Sequence, residues 1–204
     1  MTRLAVIDHG AGNLVSVARG LEQNGARVDV VTEPTGLAAC DGVVLPGVGT
    51  TGSAMERLQS QELVAALDAW EGPLLGICVG LQLFFETSDE DDTACLGFIE
   101  GRVAQLESAP LLPHIGWNDV ELATDPLFAG LGNSTLFYFV HSYAPVPANP
   151  GDAIGWSEYG QRFVAAARRD NRVGVQFHPE RSGEAGLAVL ANFIAECQRG
   201  RRAA

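Results

Sequence analysis

The sequence predicts an α/β fold in which a mostly parallel central sheet carries helices on both faces. Two patterns indicate this fold: short apolar, β-branched segments alternate with amphipathic helical segments in the first half, whereas strand-like segments follow one another directly in the second half. The second pattern predicts extra antiparallel strands. The chain has 204 residues, 47% of them hydrophobic, and no linker or repeat, so we expect one domain over residues 1–204.

The first half predicts four strands of a parallel sheet and the helices that connect them. Each strand is a short apolar run, and the first helix begins at Asn13, the expected cap, after a glycine-containing turn. In chain order the predicted strands are residues 4–7, 28–31, 42–45 and 73–77, and the predicted helices are residues 13–24, 53–60, 62–70 and 79–85.

The second half predicts short strands separated by glycine, proline and asparagine, and then one amphipathic helix. The predicted strands are residues 102–106, 135–140, 153–157, 162–167 and 172–177, and the predicted helix is residues 184–198.

The composition excludes several classes of chemistry. All 13 basic residues are arginine, and the absence of lysine rules out a lysine Schiff base and a phosphate-binding loop that ends in Gly-Lys. The net charge of −12 argues against a nucleic acid as the main ligand, since phosphate recognition needs a basic face. The four cysteines form no C-x-x-C pair, so we expect no metal site.

The sequence also predicts where the protein works. Asp8 follows the first apolar run too closely for a signal-peptide core, and no uncharged stretch suits a membrane helix. Dispersed cysteines fit a reducing compartment. We therefore expect a cytoplasmic protein that meets no membrane.

Cys78 is the candidate nucleophile. It lies in Gly76-Ile77-Cys78-Val79-Gly80, where a predicted buried strand meets a predicted helix, and such a turn holds a side chain in a sharp, exposed position. The positive end of the helix favours a thiolate. We interpret Cys40, Cys95 and Cys197 as small buried side chains, since no paired glycines flank them.

His178 and Glu180 are the candidate base and its orienting carboxylate. They end a predicted strand, and residues two apart in an extended chain share a face, so the carboxylate can reach the imidazole. With Cys78 they complete a nucleophilic triad. Both Cys78 and His178 are expected at the carboxyl ends of parallel strands, where active sites of such sheets gather.

The turn after the third strand predicts donors for an oxyanion. The backbone N–H groups of Val48 or Gly49, together with that of Val79, are the candidates. Residues 47–52 also match the dinucleotide pattern G-x-G-x-x-G, but Pro46 interrupts the junction and the motif lies on the third strand. We therefore treat nucleotide binding as the weaker interpretation.

The chain resembles the class I glutamine amidotransferases, whose glutaminase domain has a G-x-C-x-G nucleophile turn and a late H-P-E. The matching segments are residues 8–14, 46–49, 76–83, 113–118, 137–143 and 174–180. Segments 113–118 and 137–143 resemble the branch that serves histidine biosynthesis. The resemblance implies a single flavodoxin-like domain without a cofactor, which hydrolyses L-glutamine through a thioester on Cys78.

The resemblance also implies roles for residues around the triad. Gln82 and Glu90 would hold the amino-acid end of glutamine, and the backbone of Ser142 and Tyr143 would contact its carboxylate. Ammonia would pass to a separate (β/α)₈-barrel cyclase subunit in a heterodimer. The residues implied to line the docking face are Asn13, Trp117, Asn118, Tyr138 and His141.

Departures from the family pattern lie close to these positions. His9 stands where tyrosine is usual, Val79 where leucine is usual, and Thr50-Thr51 where a small residue and phenylalanine are usual. No partner for His9 or His114 is evident from the sequence, so we predict that both histidines have a structural role. Three alternatives stay open: a subunit serving anthranilate or pyridoxal phosphate synthesis, a small cysteine peptidase, and a non-enzymatic binding protein with an idle thiol.

Overall fold

The computed structural model describes residues 1–203, with side chains for residues 1–200, and contains thirteen strands and five α-helices within that range. The strands are β1 Arg3–Ile7, β2 Arg27–Val31, β3 Gly42–Gly47, β4 Leu74–Cys78, β5 Thr87–Ser88, β6 Thr93–Ala94, β7 Gly101–Gln105, β8 His114–Leu122, β9 Ser134–His141, β10 Tyr143–Pro147, β11 Ala153–Glu158, β12 Arg162–Arg169 and β13 Arg172–Val175. The helices are α1 Leu14–Gln23, α2 Thr51–Ser60, α3 Leu63–Asp68, α4 Val79–Gln82 and α5 Gly183–Ala203.

One nine-stranded mixed sheet forms the centre, in the order β2-β1-β3-β4-β13-β12-β11-β8-β9. The first five strands pair in parallel, in the order of a flavodoxin-like sheet, and the remaining pairings are antiparallel. Every residue of β3 and β4 is buried, as expected for strands covered on both faces. The predicted α/β fold with extra antiparallel strands is confirmed.

The helices form two groups on this sheet. Helix α1 packs against α5, and α2 packs against α3. A second sheet of four short strands, in the order β10-β7-β5-β6, lies against the large one through the contact of β10 with β12. No helix within the described residues is long and apolar enough to cross a membrane.

The register of the parallel strands places the carboxyl ends of β3, β4 and β13 side by side. Gly47 pairs with Cys78, and Val175 pairs with Ile77. The segments that follow these three strands therefore meet at one edge of the sheet, which is where an active site is expected in an open α/β fold.

Two helix predictions need correction near this edge. Helix α4 ends at Gln82 rather than at residue 85, because Leu83, Phe84 and Phe85 are all fully buried and the chain tightens into i→i−3 turns to place them. Asn13 occupies the predicted N-cap position of α1, but its side chain makes no capping hydrogen bond, so the expected side-chain cap is wrong.

The sequence pattern did not predict strands β5, β6, β8 and β10, of which β5 and β6 have only two residues each. Strand β8 lacks the regular alternation of apolar and polar residues that indicates a strand, because Gly116 and Asn118 interrupt it. Its pairing with β9 runs from His114 opposite His141 to Glu121 opposite Ser134, so long-range hydrogen bonds rather than local pattern define this strand.

Candidate active site

Cys78 occupies a strained turn between β4 and α4. Its backbone has φ 56° and ψ −110°, a conformation that non-glycine residues rarely adopt and that often marks functional sites. The two glycines of the motif make the turn possible, because a Cβ on Gly76 would lie 2.7 Å from the Gly80 backbone and one on Gly80 would overlap the Leu45 carbonyl oxygen. Helix α4 has only four residues, so the helix-dipole argument for a thiolate is weaker than the sequence indicated.

His178 and Glu180 lie just beyond β13, around a short 3₁₀ turn at Pro179–Arg181. The Nδ1 atom of His178 is 2.9 Å from Oε1 of Glu180, and the side chains are 5% and 1% exposed. A carboxylate on Nδ1 fixes the orientation of the ring and leaves Nε2 free to exchange a proton with the nucleophile. The predicted reach of Glu180 to His178 is confirmed.

The second ring nitrogen of His178 faces the nucleophile. Nε2 is buried and makes no well-directed hydrogen bond within the described part of the chain, which is common for catalytic pairs before substrate binds. Burial lowers the pKa of His178, but the adjacent Cys78 sulfur and then the Glu180 carboxylate favour the charged ring and raise this pKa to about 10. The arrangement therefore favours a charged imidazolium beside the Cys78 sulfur.

A side-chain amide and a backbone carbonyl lie next to the Cys78 sulfur. Gln176 directs its Nε2 to Sγ of Cys78 at 3.6 Å, and its own Oε1 accepts a hydrogen bond from Gln82 at 3.1 Å. Sγ also lies 3.7 Å from the carbonyl oxygen of Val140. Gln176 was not among the predicted site residues, although its spacing of two from His178 places both side chains on one face of the extended chain.

The prediction that the other three cysteines are buried is confirmed for Cys197 and wrong for Cys40 and Cys95, which are half-buried. Burial raises the pKa of Cys40, of Cys95 (to about 11) and of Cys197, so these thiols stay protonated at neutral pH. No disulfide joins any of the four cysteines.

A cavity of about 270 Å³ brings most of the predicted site residues together. Its size suits a small molecule. Pro113, Val140 and Arg181 also line it, without having been predicted. The predicted residues that line it are Cys78, His178 and Glu180, then Val48, Gly49 and Val79, then Gln82, Glu90, Ser142 and Tyr143, and finally Asn13 and His141.

The donor segment, residues 47–49, forms one wall beside Cys78. Gly49 has φ +93°, and Val48 is 40% exposed. A Cβ on Gly47 would lie 2.9 Å from Cβ of Val79, so the segment and the residue after the nucleophile are in close contact. The backbones of Val48, Gly49 and Val79 thus border the same space.

Gln82 and Glu90 occupy positions unlike those of ordinary surface residues. Gln82 is 3% exposed, and besides Gln176 it donates to the carbonyl oxygen of Tyr143 at 3.0 Å. Glu90 accepts from the backbone N–H of Thr51 at 3.1 Å, and burial raises its pKa despite that hydrogen bond. Because Glu90 already caps the start of α2, that helix end does not offer a free anion site, which argues against the dinucleotide interpretation.

The residues implied to dock a partner fall into two groups. Trp117 is 55% exposed on β8 and meets Tyr138 edge to face at 6.0 Å, while the guanidinium of Arg181 lies 4.3 Å from the Tyr138 ring centre. Asn13 is exposed as well. His141 is buried instead, and it joins the half-buried Asn118 in a hydrogen-bond network.

That network connects the cavity to the sheet edge. His141 is 5% exposed, and its Nδ1 contacts the Tyr143 carbonyl oxygen at 2.9 Å while its Nε2 contacts Nδ1 of His114 at 3.0 Å. Asn118 lies 3.4 Å from the other nitrogen of His114 and donates to the Glu158 carbonyl oxygen at 2.8 Å. Burial lowers the pKa of His114 to about 4 and that of His141 to about 3.

Comparison with known proteins identifies similar sequences over nearly the whole chain. Residues 5–197 match the family described as glutamine amidotransferase class-I. A curated protein of Synechococcus sp. (strain JA-3-3Ab), named imidazole glycerol phosphate synthase subunit HisH, is 46% identical over 200 residues, which cover 94% of this chain and 93% of that protein. A Moorella thermoacetica protein of the same name is 46% identical over 198 residues, covering 95% and 94%.

Solved structures agree on the fold. A protein from Thermoplasma acidophilum described as a putative GMP synthase subunit superposes with a TM-score of 0.79 at 24% identity, covering 100% of this chain and 97% of that chain. The structure of PurLQS from Thermotoga maritima gives a TM-score of 0.73 at 19% identity, covering 95% and 98%. At such identities the likeness establishes a shared fold and nothing finer.

Proposed function

The chain belongs to the class I glutamine amidotransferase family, and we propose that it is the glutaminase subunit of imidazole glycerol phosphate synthase in L-histidine biosynthesis. Two relatives that carry this enzyme's name are 46% identical to it over at least 94% of its length. The observation that carries the proposal is the buried His178, held by Glu180 and facing Cys78 in a small cavity.

The triad accounts for the first half of glutamine hydrolysis. The Cys78 thiolate attacks the side-chain amide carbon of glutamine, and the electrons of the C=O bond move to its oxygen. As this tetrahedral species collapses, the C–N bond breaks and the His178 imidazolium gives its proton to the departing nitrogen, which leaves as ammonia. A γ-glutamyl thioester on Cys78 and a neutral His178 result.

Water completes the cycle through the same residues. Neutral His178 takes a proton from water, and the resulting hydroxide attacks the thioester carbon. The C–S bond then breaks, which releases glutamate and restores the thiolate beside an imidazolium. Glu180 holds the ring in one orientation through both halves and stabilises its positive charge.

Backbone donors stabilise the charge that develops on the carbonyl oxygen. The N–H of Val79 and an N–H of Val48 or Gly49 are the candidates, since all three residues border the cavity beside Cys78. One such donor contributes roughly 10²–10³ in rate. No metal or cofactor takes part in this scheme.

The far end of the cavity holds the amino-acid end of the substrate. The Glu90 carboxylate pairs with the α-ammonium group of glutamine, and the backbone of Ser142 and Tyr143 contacts the α-carboxylate. Gln82 supports this wall, because its amide fixes both the Tyr143 carbonyl and the Gln176 side chain.

A cyclase subunit of (β/α)₈-barrel form is the proposed partner in a heterodimer. An exposed apolar stripe on β8 and β9 supports a protein partner, since Ile115, Trp117 and Leu136 are all more than half exposed. Asn13 and Tyr138 complete the proposed docking region, whereas the buried His141 and the half-buried Asn118 belong to the histidine network. Ammonia passes to this partner, which makes imidazole glycerol phosphate and an aminoimidazole carboxamide ribotide in the cytoplasm.

Docking is proposed to activate the glutaminase. Free ammonia would be protonated or diffuse away, so a donor segment that completes only on docking prevents idle hydrolysis. Glutamate release is measured for the chain alone and with the cyclase and its substrate. We expect a marked rise with both, and equal rates would contradict the coupling.

Co-purification with a candidate barrel cyclase, followed by a glutamine-dependent assay, tests the proposed function itself. We expect a stable complex that makes imidazole glycerol phosphate from glutamine. A Cys78 thiol that is inert to a glutamine-like alkylating reagent would instead favour a binding protein with an idle thiol, and hydrolysis of peptides would favour a peptidase.

A further inference from the structure

His9 is a buried histidine with one hydrogen bond and one unpartnered nitrogen. It follows β1, is 1% exposed, and places Nε2 2.7 Å from the carbonyl oxygen of Pro46. A carbonyl oxygen only accepts, so Nε2 carries the proton and donates. Its other nitrogen, Nδ1, is buried and has no partner among the described residues.

If the His9 ring only filled space in the core, its unpartnered Nδ1 would make it an unfavourable choice. A buried polar atom without a partner is destabilising, and an aromatic hydrocarbon ring would fill the same space without that cost. Burial and the nearby Arg57 lower the pKa of His9, which keeps the ring neutral and leaves a single donor. The hydrogen bond to Pro46 is therefore the feature that a histidine supplies here.

Pro46 is the residue from which the donor segment starts. Its carbonyl belongs to the peptide that leads into Gly47, and Gly47 touches Val79 on the opposite side. Further along, Val48 is 40% exposed, and a Cβ built on Gly49 would meet no atom within 4 Å. The outer part of the segment is thus open, and its position depends on how its base is held.

His9 itself is held firmly. Arg57 donates to the His9 carbonyl oxygen at 3.2 Å, and Gln61 donates to the Asp8 carbonyl oxygen at 2.9 Å. Both side chains lie on or directly after α2, the helix that follows the donor segment. The donor segment therefore lies between His9 and α2, and residues of α2 or directly after it also hold His9 in place.

We propose that His9 is a positioning residue for glutamine hydrolysis, because its hydrogen bond to Pro46 sets the placement of the oxyanion donors at residues 48–49. The inference rests on the proposed function. His9 touches no substrate; it acts through the backbone of the donor segment. The carbonyl oxygen of the tetrahedral species is the atom whose stabilisation depends on it.

A matched pair of substitutions separates this role from packing. In His9→Gln the amide nitrogen can take the place of Nε2, whereas in His9→Asn the amide is one methylene too short to reach Pro46. His9→Phe keeps an aromatic ring but has no donor, and it replaces His9→Asn in the test if that variant does not fold. Asn192→Leu is the control, because it removes side-chain donors to the carbonyls of Leu127 and Ala129 at a site away from the cavity.

Two reactions of Cys78 are compared in the complex with the cyclase. Glutamine hydrolysis develops an oxyanion, whereas alkylation of the thiolate by iodoacetamide does not. We expect His9→Asn and His9→Phe to lower kcat about 10- to 100-fold, to leave KM within about 2-fold, and to leave the alkylation rate unchanged. His9→Gln is expected to recover most of kcat, and Asn192→Leu to match the unaltered chain.

Each other result would overturn the inference. Wild-type kcat in His9→Asn or His9→Phe, no recovery in His9→Gln, or a parallel loss of alkylation would each show that the hydrogen bond does not place the donors. An unaltered chain that releases no glutamate would overturn the proposed function, and the inference with it. If the unaltered chain is fully active while the His9 variants give one of these contrary results, only the inference about His9 fails and the proposed function stands.

Discussion

The Glu180 carboxylate and the His178 imidazole form a buried pair, with Oε1 2.9 Å from Nδ1. This contact decides which ring nitrogen meets Cys78. Despite burial, the Cys78 sulfur and, after it, the Glu180 carboxylate raise the pKa of His178 far above the ordinary histidine value. A pair of residues two apart in sequence thus supplies both the orientation and the charge that the thiol needs.

The pH profile of glutamine hydrolysis follows from this pair. The raised pKa keeps the imidazolium charged at neutral pH, and the proton is lost only as the pH rises through about 10. We expect kcat/KM to fall on the alkaline side near that pH. In Glu180→Gln the alkaline limb moves to lower pH, and kcat falls by roughly 10²-fold or more. A limb near pH 6.5 in the unaltered chain would contradict the thiolate–imidazolium pair.

Gln176 is expected to stabilise the thiolate through its Nε2. Hydrogen bonds to charged groups contribute about 1.5–3 kcal/mol, so Gln176→Leu should slow iodoacetamide alkylation of Cys78 by about 10-fold or more at neutral pH. Asn192→Leu is again the control for a lost amide. An unchanged alkylation rate in Gln176→Leu would mean that the 3.6 Å contact does not favour the thiolate.

The buried histidine network predicts how stability depends on acid. The pKa of His114 is lowered to about 4 in the folded chain, so between about pH 4 and 6.5 the unfolded chain binds more protons. The free energy of unfolding therefore falls as the pH falls, by up to about 1.4 kcal/mol per pH unit for this histidine. Urea denaturation between pH 4.5 and 7 measures the slope.

His114→Phe is the variant for that slope. A phenyl ring retains the stacking on Tyr159, whose ring centre lies 4.0 Å away, but it cannot be protonated. We expect a shallower dependence on pH than in the unaltered chain. The same slope in both would show that His114 is protonated in the folded state over this range.

Trp117 is expected to contribute to binding of the cyclase. Exposed tryptophans at interfaces are among the residues whose truncation costs most, so Trp117→Ala should weaken binding about 10-fold or more. Val30 is also 55% exposed but lies on β2 at the other edge of the sheet, and Val30→Ala is the matched control. Calorimetric titration with the cyclase compares the two, and equal affinities would place the docking face elsewhere.

The parallel half of the fold and the grouping of Cys78, His178 and Glu180 could be predicted from the sequence because their signals are local. The apolar runs before Gly47 and Cys78 mark buried strands, and the glycines around Cys78 mark the turn. The spacing of His178 and Glu180 likewise encodes their contact. These features depend on neighbours within a few residues.

The features that sequence reasoning missed depend on contacts between distant segments. Strand β8 forms because β9 and β11 pair with it, and its own residues carry only a weak pattern. Gln176 gains its place from Gln82 and Cys78, both more than 90 positions away. His9 finds Pro46 only when β1 and β3 lie side by side.

The most direct test of the account is the source of nitrogen that the complex can use. The chain and its Cys78→Ser variant are each combined with the cyclase and supplied with either glutamine or ammonium salt at alkaline pH. The account predicts that the unaltered complex uses both sources, whereas the variant folds and binds normally but makes product from ammonia alone. Continued consumption of glutamine by Cys78→Ser would contradict it.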